Sequence, residues 1–311
     1  MSKRFLGEKV GILVTGGAGF IGSHVVDLLL ENNYTVIVLD NLSTGSIKNL
    51  NKKAKFIKGD IRDKNLDFRD IDGVIHLGAQ VNVRTSLEKP LYDCDVNVMG
   101  TLNILETMRR YDVEKIVFAS SVAVYGDPKY LPVDEEHPKE PLSPYGLSKY
   151  CGERYIELYG DLYGIDYTIL RYSNVYGERQ DPRGEAGVVS IFIESMLKGK
   201  APTIYGDGYQ TRDFVYVGDV ARGTIMALNW RNEVVNIGTG REITIKQLYN
   251  IIADILNFKE KPVYSDPREG EIYRMVVNIE RALDLHWKPT VDLREGIRRT
   301  VEWMRRYLTE G

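Results

Sequence analysis

The sequence predicts an α/β fold in which helices cover both faces of a doubly wound parallel sheet, with a smaller α/β domain following it. Strand-like and helix-like segments alternate from Val10 to about Arg171, which is the pattern of such a sheet. Near the N-terminus an apolar strand runs through a glycine-rich turn directly into a helix. The chain has 311 residues, which is long enough for two lobes.

The glycine-rich turn follows the first strand and carries Gly16, Gly19 and Gly22. Glycine lets a diphosphate approach the bare backbone, and the N-terminus of the following helix attracts anions. The second strand, Tyr34–Asp40, ends on an acid, where Rossmann-type folds bind the adenosine ribose. Strand, glycines, helix and terminal acid in this order predict a dinucleotide site.

The residues around Asp40 also predict which dinucleotide binds. The carboxylate of Asp40 would repel a 2′-phosphate, and Asn41 and Leu42 supply no arginine to receive one. We therefore expect NAD rather than NADP.

The remaining strands of the sheet are predicted at Lys55–Lys58, Gly73–Leu77, Ile116–Ser120 and Asp166–Arg171. A helix over Asn97–Tyr111 carries an apolar stripe that should pack in the core, made by Ile104, Leu105 and Met108. Later segments are a helix and a strand that the first sheet could recruit, and a closing helix: Val220–Trp230, Glu233–Ile237 and Asp292–Tyr307. These elements predict an NAD-binding Rossmann domain over 1–173, which also recruits about 213–240, and a second domain over 174–212 and 241–311.

Composition excludes several function classes. Hydrophobic residues make up 43% and charged residues 27%, no apolar run reaches the roughly 20 residues of a membrane span, and the short N-terminal segment leaves no room for a signal peptide. A net charge of −3 argues against nucleic acid as a partner. The two cysteines, Cys94 and Cys151, fit free thiols in a reducing compartment, so we expect a cytoplasmic protein. The four histidines lack ligand spacing, and no metal site is expected.

A candidate catalytic pair lies in Pro144–Lys149. Tyr145 and Lys149 are four residues apart, so on a helix they share one face. A free tyrosine titrates at about 10, but a neighbouring ammonium group and a cationic nicotinamide both favour the phenolate. Tyr145 is therefore predicted to be a general base, although this spacing alone also occurs by chance.

Two hydroxyls end the strand that begins at Ile116. Ser120 and Ser121 lie where the carboxyl ends of parallel strands open onto a ligand crevice. Capping of the next turn would account for one serine and leave the other unexplained. We favour a functional role for Ser121.

With these motifs the chain resembles the extended short-chain dehydrogenase/reductases, specifically the NAD-dependent nucleotide-sugar epimerases and dehydratases. The likeness is carried by the glycine turn, Asp40, Gly59-Asp60, Ser121 and Tyr145-x-x-x-Lys149. It continues through Arg171-Tyr-Ser-Asn174, Tyr205-Gly-Asp-Gly, Thr211-Arg212-Asp213 and Asn236-Ile-Gly-Thr-Gly240. It is strongest to the members that interconvert UDP-glucose and UDP-galactose, and it implies an isomerase of galactose metabolism.

The resemblance implies a set of site residues. The catalytic ones are Ser121, Tyr145 and Lys149. The NAD-binding ones are Gly16, Gly19, Phe20, Ile21, Asp40, Asn41, Thr44, Gly45, Asp60, Ile61, Leu77, Ala79, Gln80, Tyr145, Lys149 and Tyr172. The substrate-binding ones are Ser121, Tyr145, Asn174, Gly187, Val188, Tyr205, Arg212, Arg268 and Glu271.

The implied reaction is 4-epimerisation of a UDP-hexose through a transient 4-keto sugar, with Tyr145 as the base. Dehydratases of this family usually carry Asp-Glu after the serine or threonine, and uronate decarboxylases carry an acid at the second of these positions. Here the two positions hold Val122 and Ala123, which cannot move a proton. UDP-N-acetylglucosamine and UDP-glucuronate remain alternative substrates, a 4-reductase is less favoured, and a non-catalytic dinucleotide-binding protein is the least favoured reading.

Two positions limit the prediction of the substrate. The family usually has Gly-Asp after the late arginine, whereas this chain has Arg268-Glu-Gly-Glu271. Met275 aligns by eye with the position whose bulk governs acceptance of N-acetyl groups, and it is neither large nor small.

The resemblance also implies a homodimer, in which Asn97–Tyr111 and Ser148–Tyr163 pair as a four-helix bundle. Apolar surface for this pairing is predicted at Leu102, Leu105, Tyr155 and Leu158.

Overall fold

The computed structural model describes residues 10–182, 187–267 and 272–309. A parallel sheet of seven strands forms its centre: β1 Gly11–Thr15, β2 Thr35–Asp40, β3 Lys55–Lys58, β4 Gly73–His76, β5 Lys115–Ser121, β6 Asp166–Tyr172 and β11 Glu233–Ile237. Across the sheet the strands lie in the order β11-β6-β5-β4-β1-β2-β3. The predicted α/β class and parallel sheet are confirmed, and the strand order reverses beside β1, where such folds place their ligand crevice.

Helices cover both faces of this sheet. One apolar cluster packs α1, Phe20–Glu31, and α7, Val217–Met226, against one face. On the other face lie α4, Gly100–Arg110, and α5, Pro144–Tyr163. Because neighbouring strand residues point to opposite faces, Ile12 packs with the first pair of helices and Leu13 with the second.

Two short helices, α2 Val83–Glu88 and α3 Pro90–Cys94, connect β4 to a π-helical turn, Asp95–Met99, that leads into α4. The predicted helix over 97–111 therefore begins with a different geometry, and Asn97 lies on the π turn. Leu105 is fully buried beside Ile104, so its predicted place on an exposed dimer face was wrong. The reason is that Ile104, Leu105 and Met108 together cover the sheet.

The remaining described segments form a second apolar cluster around α6 Val188–Leu197, α8 Ile245–Leu256 and α10 Leu293–Thr309. Phe192, Leu248 and Met304 are buried there. Three two-stranded sheets flank it, pairing β7 Asn174–Tyr176 with β10 Phe214–Tyr216, β8 Thr203–Tyr205 with β13 Val263–Ser265, and β9 Thr211–Arg212 with β12 Ile243–Thr244. The short helix α9, Glu280–Asp284, packs near β11.

None of the helices in the described part of the chain has both the length and the apolar character that crossing a membrane requires.

Candidate active site

A cleft of about 410 Å³ opens at the carboxyl ends of the central strands. Every residue predicted to bind the cofactor lines this cleft, with the exception of Gly45. The cleft is also lined by residues that were not predicted for it: Gly22, Leu39, Ser43, Gly59, Gly78, Val81, Asn82, Thr85, Tyr92, Val96, Ala119 and Ser120. Most of these adjoin predicted positions, but Asn82, Thr85 and Tyr92 belong to the α2–α3 segment, which carries no motif.

The glycine turn at one end of the cleft has no room for side chains. Gly16 adopts a left-handed φ of +69°, and a Cβ on Gly22 would lie 2.1 Å from the Gly16 carbonyl oxygen. Helix α1 starts directly after Gly19, and no side chain caps its first N–H groups. Exposed backbone donors at a helix N-terminus suit a diphosphate.

Asp40 braces this turn from the end of β2. Its Oδ2 accepts a hydrogen bond from the Ala18 N–H at 2.9 Å, and its Oδ1 accepts one from the Leu42 N–H at 2.8 Å. Gly45 packs behind this carboxylate, because a Cβ there would lie 3.0 Å from Asp40 Oδ1. The side chain that was predicted to select the ribose therefore also holds the phosphate turn in shape.

Asp60 lies at the rim of the cleft and is held by two side chains. Arg62 donates to both of its oxygens at 2.8 Å, and the Asn41 amide donates to Oδ2 at 2.8 Å. The Arg62 guanidinium keeps the pKa of Asp60 well below its usual range. Asp60 is thus a charged acceptor at neutral pH.

A buried chain of hydrogen bonds ties the glycine turn to β4. Thr15 Oγ1 accepts from the Leu77 and Gly78 N–H groups, so its own hydrogen points to His76 Nδ1 at 2.7 Å. This fixes His76 as the tautomer that donates from Nε2 to Thr101 Oγ1 at 3.1 Å. Burial lowers the pKa of His76 to about 3. The one sequence signal for these hydrogen bonds was a polar residue, His76, inside an apolar strand.

A second buried cluster holds the loop after β4. The Asn97 amide pairs with both the N–H and the C=O of Gln80, at 2.8 and 2.9 Å. The Gln80 side chain donates to Asp93 Oδ1 at 2.6 Å and to the Asn82 carbonyl oxygen, and it accepts from the Asn82 N–H. The side-chain amide of Gln80 is therefore occupied in shaping the wall of the cleft.

Tyr145 and Lys149 line the opposite end of the cleft from the first two turns of α5. Pro144 starts this helix, and Ser143 caps it by accepting from the Gly146 N–H at 3.1 Å. Lys149 is only 4% exposed; its Nζ donates to the Ala119 carbonyl oxygen at 2.7 Å and lies 4.9 Å from the centre of the Phe118 ring. The structure thus brings the predicted base and its cation to one wall of the cleft.

Both serines at the end of β5 have partners. Ser120 Oγ donates to Glu153 Oε1 at 2.5 Å, and Ser121 Oγ accepts from the Ala123 N–H at 3.2 Å, capping the 3₁₀ turn Val122–Val124. The expectation that capping would leave one serine unexplained was wrong, because the second serine binds a carboxylate from another helix. As an acceptor from Ala123, Ser121 keeps its own hydrogen to donate elsewhere.

Of the residues predicted to hold the substrate, Tyr145 lines this cleft. The other described ones are half-buried and do not line it: Ser121, Asn174, Gly187, Val188, Tyr205 and Arg212. Asn174 starts β7, where its N–H donates to the Asp213 carbonyl oxygen at 3.0 Å. Gly187 and Val188 begin α6, and Tyr205 and Arg212 end β8 and β9. Arg268 and Glu271 lie outside the described residues.

No group of histidine, cysteine and acidic side chains in the described part of the chain could hold a metal ion.

The model of the NAD dependent epimerase/dehydratase family matches residues 12–238. A relative from Methanocaldococcus jannaschii, provisionally assigned as a UDP-glucose 4-epimerase, is 64% identical over 299 residues, covering 94% of this chain and 98% of the relative.

Two solved structures share the fold over almost their whole length. A UDP-glucose 4-epimerase from Thermotoga maritima with UDP-glucose is 46% identical with a TM-score of 0.94, covering 96% of this chain and 100% of that one. A UDP-N-acetylglucosamine 4-epimerase from Methanobrevibacter ruminantium in complex with UDP-N-acetylmuramic acid is 36% identical with a TM-score of 0.92, covering 96% and 99%.

Proposed function

The chain belongs to the NAD-dependent epimerase/dehydratase family and is an NAD-dependent isomerase; on that premise we propose that it inverts carbon 4 of a UDP-hexose, with UDP-glucose and UDP-galactose as its substrate pair. The observation that carries this proposal is the position of Tyr145 and Lys149 on the wall of a cleft whose other end is a glycine cradle. The reaction would belong to galactose metabolism.

The residues of the cleft fit NAD. The cradle excludes any Cβ at Gly22. Asp40 offers its carboxylate to a ribose, and the same carboxylate would repel a 2′-phosphate. When bound, NAD would accept a hydride from the sugar carbon and later return it.

The chain's own groups would manage the proton and the oxygen. Tyr145 would take the proton of the 4-hydroxyl as carbon 4 of the sugar is oxidised. It would return the proton after the 4-keto sugar has turned over in the cleft. The Lys149 cation, one helical turn away, would stabilise the phenolate. Ser121 would donate its hydrogen to the same sugar oxygen.

The residues after Ser121 favour epimerisation over elimination of water. Val122 and Ala123 form the 3₁₀ turn that Ser121 caps, and neither can donate a proton. Dehydration of the 6-hydroxyl needs such an acid.

For the nucleotide, we propose that Asn174, Gly187, Val188, Tyr205 and Arg212 hold the UDP group. The N-terminus of α6 supports this assignment, because Gly187 and Val188 present backbone N–H groups and no side chain caps them. Arg268 and Glu271 keep their assignment as expectations from sequence.

An N-acetylated sugar is the second candidate, since the Methanobrevibacter ruminantium enzyme is nearly as similar in fold. Met275 is buried in an apolar cluster with Val124 and Tyr125, which follow the proposed catalytic serine by three and four residues. A side chain at this place could set the room for the sugar substituent.

We also propose a homodimer in the cytoplasm. Helix α5 exposes an apolar stripe at Leu147, Tyr155, Leu158 and Leu162, which fits pairing with a second copy. Cys94 and Cys151 are free thiols, which fits a reducing compartment.

The test is to incubate the purified protein separately with UDP-galactose, UDP-N-acetylglucosamine and UDP-glucuronate and to resolve the products. We expect UDP-galactose to give UDP-glucose with no net change in NADH absorbance. A 4-keto-6-deoxy product, or a pentose nucleotide from UDP-glucuronate, would overturn the proposal.

A further inference from the structure

We propose that Glu153 is a positioning residue that sets how α5 lies on β5, and with it the distance between Tyr145 and Ser121. The effect on reaction rate that we predict from this inference rests on the proposed function. Its structural basis is a buried cluster of Glu153, Arg171 and Ser120.

Three chemically active side chains share one face of α5. Tyr145, Lys149 and Glu153 follow each other at four-residue intervals. The second and third bind successive residues of β5, since Lys149 donates to the Ala119 carbonyl oxygen and Glu153 accepts from Ser120. The functional face of the helix is therefore fixed to the strand that ends in Ser121.

The helix lies unusually close to this strand. A Cβ on Gly152 would be 2.9 Å from the Phe118 ring, and a Cβ on Gly146 would be 2.6 Å from the Ala123 carbonyl oxygen. Close packing fixes how near the helix lies to the strand, and directional bonds add control over its rotation and its position along the strand.

Arg171 supplies those directional bonds from the neighbouring strand. It lies opposite Ser120 in the parallel register of β5 and β6, and it donates to both Glu153 oxygens at 3.0 and 2.7 Å. Its third nitrogen donates to the Tyr125 hydroxyl and to the Glu135 carbonyl oxygen, each at 3.0 Å. The rigid guanidinium fork thus fixes the Glu153 carboxylate in two directions.

Stability alone is a weak explanation for this pair. Arg171 is 3% exposed and Glu153 is 1% exposed, and burial of two charges costs so much desolvation that an apolar pair of similar volume is often equally stable. The position of Glu153 supports a role in setting the geometry of the cleft, because Ser120 both lines the cleft and binds Glu153. A shift of about 1 Å in a reacting group can lower a rate about 100-fold.

The central experiment compares wild type with E153Q and R171K. Glutamine keeps the volume of Glu153 but turns an N–H group toward the guanidinium, and lysine keeps the charge of Arg171 but loses the fork. We expect E153Q to lower kcat for UDP-galactose by about 10- to 100-fold, with KM changed less than about threefold and the acidic limb of the kcat–pH profile shifted. The kcat of R171K should lie between the values for E153Q and wild type.

M304A is the matched control, because Met304 is fully buried in the apolar cluster around α10, remote from this cluster of charges. It should lower the thermal midpoint while kcat at 25 °C and the pH profile stay as in wild type. If E153Q behaves like M304A, with a lower midpoint but kcat and pH profile within about threefold of wild type, Glu153 is only structural and the proposal fails.

A double variant, E153L/R171L, covers the case in which the single variants do not fold. Leucine at both positions removes the charges together, and we expect a folded protein with the kcat loss of E153Q. Wild-type kcat in the double variant would overturn the proposal.

Amide hydrogen exchange over residues 144–152 gives a readout without substrate. The rate of exchange should rise in E153Q. If wild type converts none of the three sugars, the proposed function fails while this exchange result still decides the role of Glu153.

Discussion

The Lys149 ammonium group is held by the Ala119 carbonyl oxygen and by the face of the Phe118 ring. A flexible lysine usually spreads over many rotamers, so this restraint keeps its positive charge one helical turn from Tyr145. The same principle applies across the cleft, where Asp40 is tied by two backbone N–H groups. Each group would therefore meet its proposed ligand in a position that is already set.

Replacement of Tyr145 by phenylalanine should lower kcat by about 10²–10⁴-fold, because it removes the hydroxyl that we propose as the general base. Turnover of UDP-galactose measures the effect, and UDP binding by calorimetry serves as the control and should be unchanged. A variant within about threefold of wild type would show that Tyr145 is not the base.

Asp40 should make the protein bind NAD more tightly than NADP. Its two oxygens are held by Ala18 and Leu42, so the carboxylate cannot swing away from a 2′-phosphate. Titration of protein freed of nucleotide with each cofactor measures the ratio. Tighter binding of NADP, or release of mainly NADP from denatured protein, contradicts the prediction.

His76 should make stability fall in acid. Burial lowers its pKa from 6.5 to about 3 in the folded protein, so between these values the unfolded chain binds a proton that the folded chain does not. The free energy of unfolding therefore decreases as pH falls through this window, by up to about 1.4 kcal/mol per pH unit from this group.

Urea unfolding at pH 4.5, 5.5 and 6.5 measures this slope, and H76Q should have a shallower one. His286 provides the matched control, because its side chain is exposed and H286N should keep the wild-type slope. Parallel slopes for wild type and H76Q would exclude His76 as the source.

At the scale of elements, the glycine cradle depends on three segments at once. The turn itself joins β1 to α1, Asp40 at the end of β2 holds Ala18, and Thr15 holds the loop after β4. These contacts meet where the strand order of the sheet reverses, which is why the cleft lies there. We propose that residues 1–173 and 213–240 form one domain and that 174–212 and 241–311 form the other. The pairing of β11 with β6 supports this division, because it joins the later segment to the first sheet.

G22A should weaken NAD binding by roughly 10- to 100-fold, because the new methyl group would meet the Gly16 carbonyl oxygen at 2.1 Å and force the cradle open. Calorimetric titration with NAD measures the change. G73A is the matched control, since its methyl group would meet the flexible end of Ile12 at 3.3 Å and Lys115 at an ordinary contact distance of 3.6 Å. Equal affinities for the two variants would contradict the role of the cradle.

At the scale of the whole molecule, the exposed apolar side chains are unevenly distributed. Helix α5 and the segment before α4 expose Met99, Leu147, Leu158 and Leu162, whereas the stripe facing the sheet is completely covered. Helices that pack a sheet on one face and expose apolar side chains on the other support the proposed homodimer.

Wild type should sediment at about twice the mass of one chain at micromolar concentration. L158E/L162E should shift it to a single chain by placing charges in the pairing surface. L283E is the matched control, because Leu283 is also exposed but lies on α9, and it should leave the dimer intact. A wild-type protein of single-chain mass refutes the dimer.

The sequence by itself determined the parallel sheet, the glycine cradle and the Tyr145–Lys149 pair, because these follow from spacings within one turn or one strand–helix unit. Only the tertiary structure decided what supports them. Thr15 and His76 are 61 residues apart, and Gln80, Asp93 and Asn97 bond one another from a loop, a helix and a π turn. The charge pair of Glu153 and Arg171 joins a helix to a strand, and Ser120 joins it from a third element. Such partners are chosen by how elements pack, which no local pattern encodes.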